Sequence, residues 1–191
     1  MRKANNQTVT ILLIISLIQG PVVYYFTEGF LRLIAIMFFG ITGLILTFLL
    51  FLDLIRHRST ATLYHILVLA FAFIIGVSTI KEDLMEYIDF KLRRSERNKV
   101  VDDVKNGLIK SNSVHYSGYF PVSNGGDINI TENASGTVSI EFYIDRGFLD
   151  HYSAFLYTND PDEIRTLNDG IGPFGGGVVK KLDTNWYKVS Y

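Results

Sequence analysis

The sequence predicts an α+β protein, in which an α-helical membrane region of three transmembrane helices precedes a small, mostly antiparallel β domain. Two patterns predict this class. Residues 1–80 contain three long stretches without a charged side chain. Beyond residue 110, apolar and polar residues alternate with a period of two, which is typical of β-strands. We therefore expect a membrane region over residues 1–80, a charged juxtamembrane helix over 81–110 and a β-rich soluble domain over 111–191.

The distribution of charge supports this division. The chain of 191 residues carries 18 basic and 19 acidic side chains, a net charge of −1. Residues 1–80 hold five basic and two acidic residues, whereas residues 111–191 hold five basic and ten acidic ones. A nucleic-acid partner would need a dominant basic field, so we expect none. The absence of cysteine excludes disulfide scaffolds, thiolate metal sites and cysteine nucleophiles.

The three uncharged stretches are long enough to cross a bilayer. They are Val9–Phe26, Leu33–Leu52 and Leu63–Ile80. Since a helix rises ~1.5 Å per residue, about 20 residues cross a hydrocarbon core of about 30 Å. Buried helices of a soluble protein are the alternative, but such helices usually carry a polar stripe. The first stretch lacks the small-residue cleavage site of a signal peptide, so we interpret it as an uncleaved anchor whose helix Pro21 kinks or ends.

Basic residues near the spans predict the orientation. With a cytoplasmic N-terminus, Arg2, Lys3, Arg56 and Arg58 all lie inside and Arg32 lies outside, as the positive-inside rule requires. The basic residues of the charged segment oppose this arrangement, but acids are interleaved among them. We therefore expect the bilayer as a partner, a cytoplasmic N-terminus and an extracytoplasmic C-terminal domain.

Residues Glu82–Leu108 have helical spacing. Apolar residues recur at intervals of three and four, and Asn106-Gly107 is a typical helix stop. One interpretation is a basic amphipathic segment that contacts anionic lipid. The other is a solvated connecting helix, which we favour because acids nearly equal bases in number.

The β domain is predicted strand by strand. Alternation and turn residues indicate strands near 127–131, 137–144, 148–158, 177–182 and 186–191, with hairpin turns at Glu132–Gly136 and Asp183–Asn185. Asn159–Asp162 is predicted to be a turn. A sheet of five or six strands follows. We expect Trp186 to pack in its core, with Val138, Ile140 and Phe142 as partners.

No catalytic, cofactor-binding or metal-binding residue is assigned, and no cofactor is expected. The glycine spacing of Gly170-x-Gly172-x-x-Gly175 matches the dinucleotide-binding pattern. Pro173 interrupts it, however, and no βαβ unit fits around it, so we expect a flexible loop. The acidic stretch Asp160–Asp169 lacks calcium-loop spacing and is interpreted as solvated, with weak cation binding as the alternative. His115 and His151 are candidates for a hydrolase, although no motif joins them to a nucleophile.

Several motifs resemble those of a group of small uncharacterised bacterial membrane proteins. The resemblance covers roughly residues 85–191 and implies a cell-envelope protein of the same architecture, with no activity carried over. The motifs that carry it are a segment of the predicted helix, Asp89–Val100, and, in the β domain, Ser123–Ile128, Phe142-Tyr143, Arg146–Asp150, Tyr152-Ser153, Phe155-x-Tyr157, Lys180–Leu182 and Trp186-Tyr187.

The leading functional hypothesis is a non-enzymatic interaction or accessory protein of the cell envelope, with an unidentified envelope protein as a candidate partner. One alternative is an immunity or self-protection membrane protein that blocks a toxin. The other is an enzyme whose site lies in the C-terminal domain.

Overall fold

The computed structural model places the chain in two compact units, residues 1–85 and 86–191. The described residues are 2–27, 29–56, 67–68, 70, 82–110, 122–133, 135–146, 152–173 and 175–191. His115 and His151, the candidates for a hydrolase, lie outside them.

The first unit contains two long helices, α1 (Arg2–Phe26) and α2 (Gly29–Arg56). Val9 and Leu12 of α1 are buried against apolar side chains that include Leu46 of α2. Helix α1 runs through Pro21 to Phe26, so the proline does not end it near Gly20, and a kink, the other predicted effect, stays a prediction. Membrane helices tolerate an internal proline because neighbouring groups satisfy the freed carbonyl.

Both helices are long and apolar enough to cross a membrane, over Val9–Phe26 and Gly29–Leu49. In the second segment, Gly29–Leu49, no residue is buried, so its apolar side chains are accessible along the helix. The third predicted span, Leu63–Ile80, falls mostly outside the described residues, and only Leu67, Val68 and Ala70 are described there, as helix. The structure therefore supports two candidate spans, and the third stays a prediction.

The second unit is built around one antiparallel sheet of five strands, which confirms the predicted β architecture. The strands are β1 (Ile128–Glu132), β2 (Val138–Arg146), β3 (Tyr152–Thr158), β4 (Val178–Asp183) and β5 (Trp186–Ser190), in the order β1-β2-β3-β5-β4. Helix α3 (Glu82–Lys105), whose residues from Glu86 onward belong to this unit, packs there on one face, and a short helix, α4 (Pro161–Asn168), lies on the other.

The α3 face of the sheet is an aromatic core. The ring of Phe90 on α3 lies 5.3 Å from that of Phe155 and 5.7 Å from that of Trp186. Trp186 is 2% exposed and also contacts Phe142 and Tyr157, at centroid distances of 5.7 and 5.4 Å. The predicted burial of Trp186 is thus confirmed, with Phe142 as one of its predicted partners.

Helix α3 is not a solvated connector, so the favoured interpretation of this segment is wrong. Arg97 and Asp89 are 1% and 2% exposed and form an ion pair beneath the helix. Arg97 Nε donates to the carbonyl of Val122 at 2.9 Å, and its guanidinium lies 4.4 Å from the centre of the Phe155 ring. A charge-rich helix can be buried in this way because each inward charge has a partner.

The segment predicted to be a turn and a solvated acidic loop contains helix α4 instead. Asp160 caps the helix by accepting from the backbone N–H groups of Asp162, at 2.9 Å, and Glu163. Pro161 occupies the first turn, where its missing N–H costs nothing. Leu167 then packs on the sheet in a cluster with Ala154, Leu156, Tyr187 and Val189.

The two predicted hairpin turns are confirmed. Strands β1 and β2 pair across the 132–138 turn, and β4 and β5 pair across Asp183–Asn185, where Asn185 has a φ of 61°. The glycines of the dinucleotide-like pattern, Gly170, Gly172 and Gly175, lie in the loop between α4 and β4. There a side chain on Gly172 would meet the carbonyl oxygen of Gly176 at 2.2 Å, so close backbone packing explains this glycine.

Candidate functional site

A half-open cleft of about 430 Å³ lies on the α4 side of the sheet. Side chains of β1, β2, β3 and α4 line it. Those used below are Asn129, Ser139, Glu141 and Glu163. The cleft is therefore on the face opposite to the aromatic core.

The alternation of β2 places polar side chains in the cleft. Ile140 and Phe142 are fully buried on the α3 face, and successive side chains of a strand point to opposite faces. Ser139 and Glu141 consequently face α4. The sheet register sets Asn129 of β1 directly beside Glu141, and its Nδ2 donates to Glu141 Oε2 at 2.9 Å.

Glu141 is the most unusual group in the cleft. It is only 7% exposed, and burial raises its pKa above the ordinary value because the charged form loses hydration. The hydrogen bonds from Asn129 and from the Tyr152 hydroxyl, 3.4 Å from Oε1, act in the opposite direction. The negative charge of Glu163 raises the pKa further. Glu141 is thus a strong hydrogen-bond acceptor that is costly to ionise.

Two tyrosines extend this network. The rings of Tyr152 and Tyr191 pack together with their centroids 4.5 Å apart and their planes inclined at 36°. Burial raises the pKa of both phenols, and the nearby charge of Glu141 adds to the effect. Both hydroxyls therefore remain protonated and able to donate at neutral pH.

A second carboxylate enters the cleft from α4. Glu163 Oε2 accepts a hydrogen bond from the Ser139 hydroxyl, which also lies 3.0 Å from the hydroxyl of Thr158. Among the described residues, no basic side chain lines the cleft. The site thus offers acceptors and negative charge from two elements and suits a group that carries N–H or O–H donors.

The acids singled out in the sequence have separate roles. Asp160 is committed to capping α4, and its backbone hydrogen bonds, chiefly from Asp162, lower its pKa. Within the part of the chain that the structure describes, no group of three or more His, Cys, Asp or Glu side chains could hold a metal ion. Sequence reasoning missed Glu141 and Asn129 because the cleft that encloses them is formed with α4, which was not predicted. The one available signal was their position on the polar side of each alternating strand.

Comparison with known proteins adds no relative, since no family model, no curated protein and no solved structure matches this chain.

Proposed function

We propose that this chain is a multi-pass membrane protein of a bacterial cell envelope, and that its C-terminal helix–sheet domain binds a partner molecule outside the cytoplasm without catalysis. In this proposal the N-terminus is cytoplasmic, and a third span over residues 63–80 follows α1 and α2, so that the C-terminal domain lies outside. The partner is an envelope protein that presents a basic group. Two apolar helices, α1 and α2, support the membrane location. The basic residues Arg2, Lys3, Arg56 and Arg58 support the orientation.

The observation that carries the binding role is Glu141 in its cleft. Burial of a carboxylate reduces stability unless a cation compensates it, and the groups that hold Glu141 in the structure are the neutral Asn129 and Tyr152. A protonated amine or guanidinium of a partner would supply that missing positive charge. A cleft of about 430 Å³ accommodates one or two side chains or a small ligand.

Ligand binding can be tested on the full chain in detergent. Lysine amide should raise the thermal midpoint of the parent, because binding to the folded state alone stabilises it. The neutral control is 6-acetamidohexanamide, which keeps the carbon chain and the amide but has no ammonium group. It should not raise the thermal midpoint. Glu141→Gln should abolish the shift. An equal shift in the parent and in Glu141→Gln would show that the cleft does not bind the cation.

Orientation is tested with two reporter fusions. A reporter that is active only outside the cytoplasm should be active when fused after Tyr191 and inactive when fused after Arg56. The opposite pattern would contradict the proposed orientation. Loss of the chain from the membrane fraction would contradict the membrane location itself.

One observation favours a second candidate, an enzyme of the acid–base type. Glu141 has a raised pKa and shares a cleft with Glu163, and pairs of carboxylates in different environments are used as general acid and base. In this case Glu141→Gln would abolish turnover of a bound substrate while leaving its binding intact. Under the proposed function the same variant weakens binding.

A further inference from the structure

The first half of α3 exposes several large apolar side chains and buries two charged ones, unlike an ordinary surface helix. Glu86 pairs with Lys188 of β5, and Asp89 pairs with Arg97. Met85 and Phe90 are buried on the same inward side, but four other large apolar side chains point outward. They are Leu84, Tyr87, Ile88 and Leu92, which are 44%, 58%, 39% and 73% exposed. We call these four residues the outer stripe.

In the second half of the same helix the apolar side chains are buried. Val100, Val101 and Val104 are buried in the domain, while Glu96 and Lys99 are exposed. Exposed apolar side chains on α3 are thus confined to the half that follows the membrane region in sequence. Four exposed apolar residues within about 12 Å of helix form a patch of the kind that marks an interaction surface.

We infer that the outer stripe docks on the surface of the lipid bilayer, at the level of the headgroups. The inference rests on the membrane location in the proposed function. The stripe begins at Leu84, four residues after the apolar stretch Leu63–Ile80 ends, and four residues of chain reach at most ~14 Å. The stripe therefore cannot be far from the bilayer if that stretch spans it.

The chemistry of the stripe suits a lipid headgroup region. Tyr87 has an amphipathic ring of the type enriched at membrane interfaces, and the amine of Lys91 lies 5.8 Å from the centre of that ring. Lys91 is exposed on the same side of the helix, where it can contact anionic phosphates. Docking of this face would hold the domain in a fixed orientation at the membrane, through a surface separate from the cleft.

Site-directed spin labelling tests the inference directly, because the chain has no cysteine that must first be removed. The full chain is reconstituted in vesicles of phosphatidylcholine with phosphatidylglycerol, and single-cysteine variants carry a nitroxide. Accessibility to oxygen, which partitions into lipid, is compared with accessibility to a water-soluble nickel chelate. The three positions are Leu92→Cys in the stripe, Leu108→Cys as a matched control and Leu44→Cys in α2. Leu92 and Leu108 are 73% and 74% exposed, and Leu44 is 72% exposed.

If the stripe docks on lipid, the nitroxides at positions 44 and 92 should be more accessible to oxygen than to the nickel chelate. The nitroxide at position 108 should be more accessible to the nickel chelate. If position 44 is in lipid but 92 behaves like 108, the docking is contradicted while the membrane location stands. If position 44 is in water, the proposed membrane location fails and the docking with it. Protection of position 92 from both reagents, with spin–spin broadening, would show that a second copy covers the stripe and would overturn lipid docking.

A charge variant tests the headgroup contact. Lys91→Glu should reduce the oxygen accessibility at position 92 in vesicles that contain phosphatidylglycerol, and should reduce it less in pure phosphatidylcholine. Lys180→Glu, at an exposed position of β4 and away from α3, should leave the value unchanged in both. An equal effect of the two substitutions would contradict the contact between Lys91 and anionic lipid.

Discussion

The two faces of the C-terminal sheet differ although the same strands supply both. On the α3 face, Phe142, Phe155 and Trp186 pack against a long helix, and they are at most 2% exposed. On the α4 face, a helix of eight residues covers less of the sheet, and Glu141 and Ser139 line a cleft. We propose a division of roles: the aromatic face contributes more of the stability, whereas the α4 face, which also has a buried apolar cluster, keeps the polar groups of the cleft for binding.

The largest effect should come from the aromatic face. Trp186→Ala removes a side chain that contacts Phe90, Phe142 and Tyr157, and truncation of a core aromatic costs ~3–5 kcal/mol. We expect a strongly lowered thermal midpoint for unfolding of the second unit. The unfolding is monitored by circular dichroism on the full chain. Val178→Ala, at a side chain that is 71% exposed, is the control and should change little. A Trp186→Ala protein that unfolds like the parent would contradict the core role of this face.

A smaller effect is expected from the buried ion pair beneath α3. Arg97→Met leaves the charge of Asp89 buried, which costs up to ~3–5 kcal/mol when no other cation remains. Arg93 lies 3.0 Å from Asp89 and should moderate the loss. The free energy of unfolding of each variant is measured by chemical denaturation of the full chain. Arg165→Met breaks an exposed pair with Asp162 and should lower this free energy by only ~0–1 kcal/mol. Equal losses for the two variants would show that Arg97 contributes no more than a surface charge.

The smallest effect should come from the α4 face. Asp160→Ala removes the cap of α4, so the first turn of this helix should fray and Glu163 should lose its fixed position. We expect a slight decrease in the thermal midpoint and a clear loss of the lysine-amide shift. Asp169→Ala, at an exposed acid beyond the other end of α4 and outside the cleft, is the control and should change neither value. The comparison of faces would be contradicted if loss of the cap destabilised the domain as much as loss of Trp186.

The sequence predicts the strands better than it predicts the site. Alternation located β2 and the hairpins, and it placed Trp186 in the core, because period and turn chemistry are local. Helix α4 was missed because Asp160 and Pro161 are typical of both a turn and a helix start. Since the cleft exists only where α4 meets the sheet, Glu141 could not be recognised as a site residue. Arg97 was missed for a related reason: a burial that depends on distant partners such as Phe155 leaves no periodic signal.

The pH dependence of unfolding of Glu141→Gln tests the division of roles most directly. The pKa of Glu141 is raised in the folded state, so its contribution to stability is fully present below the unfolded pKa, near 4.5, and is lost as the pH rises through the folded value. Glutamine carries no charge and should remove that loss while keeping an acceptor for Asn129. The account predicts a thermal midpoint for Glu141→Gln at neutral pH that equals or exceeds that of the parent, with the difference vanishing in acid. A midpoint well below that of the parent at neutral pH would show that Glu141 serves the fold, and would contradict the claim that this face is kept for binding.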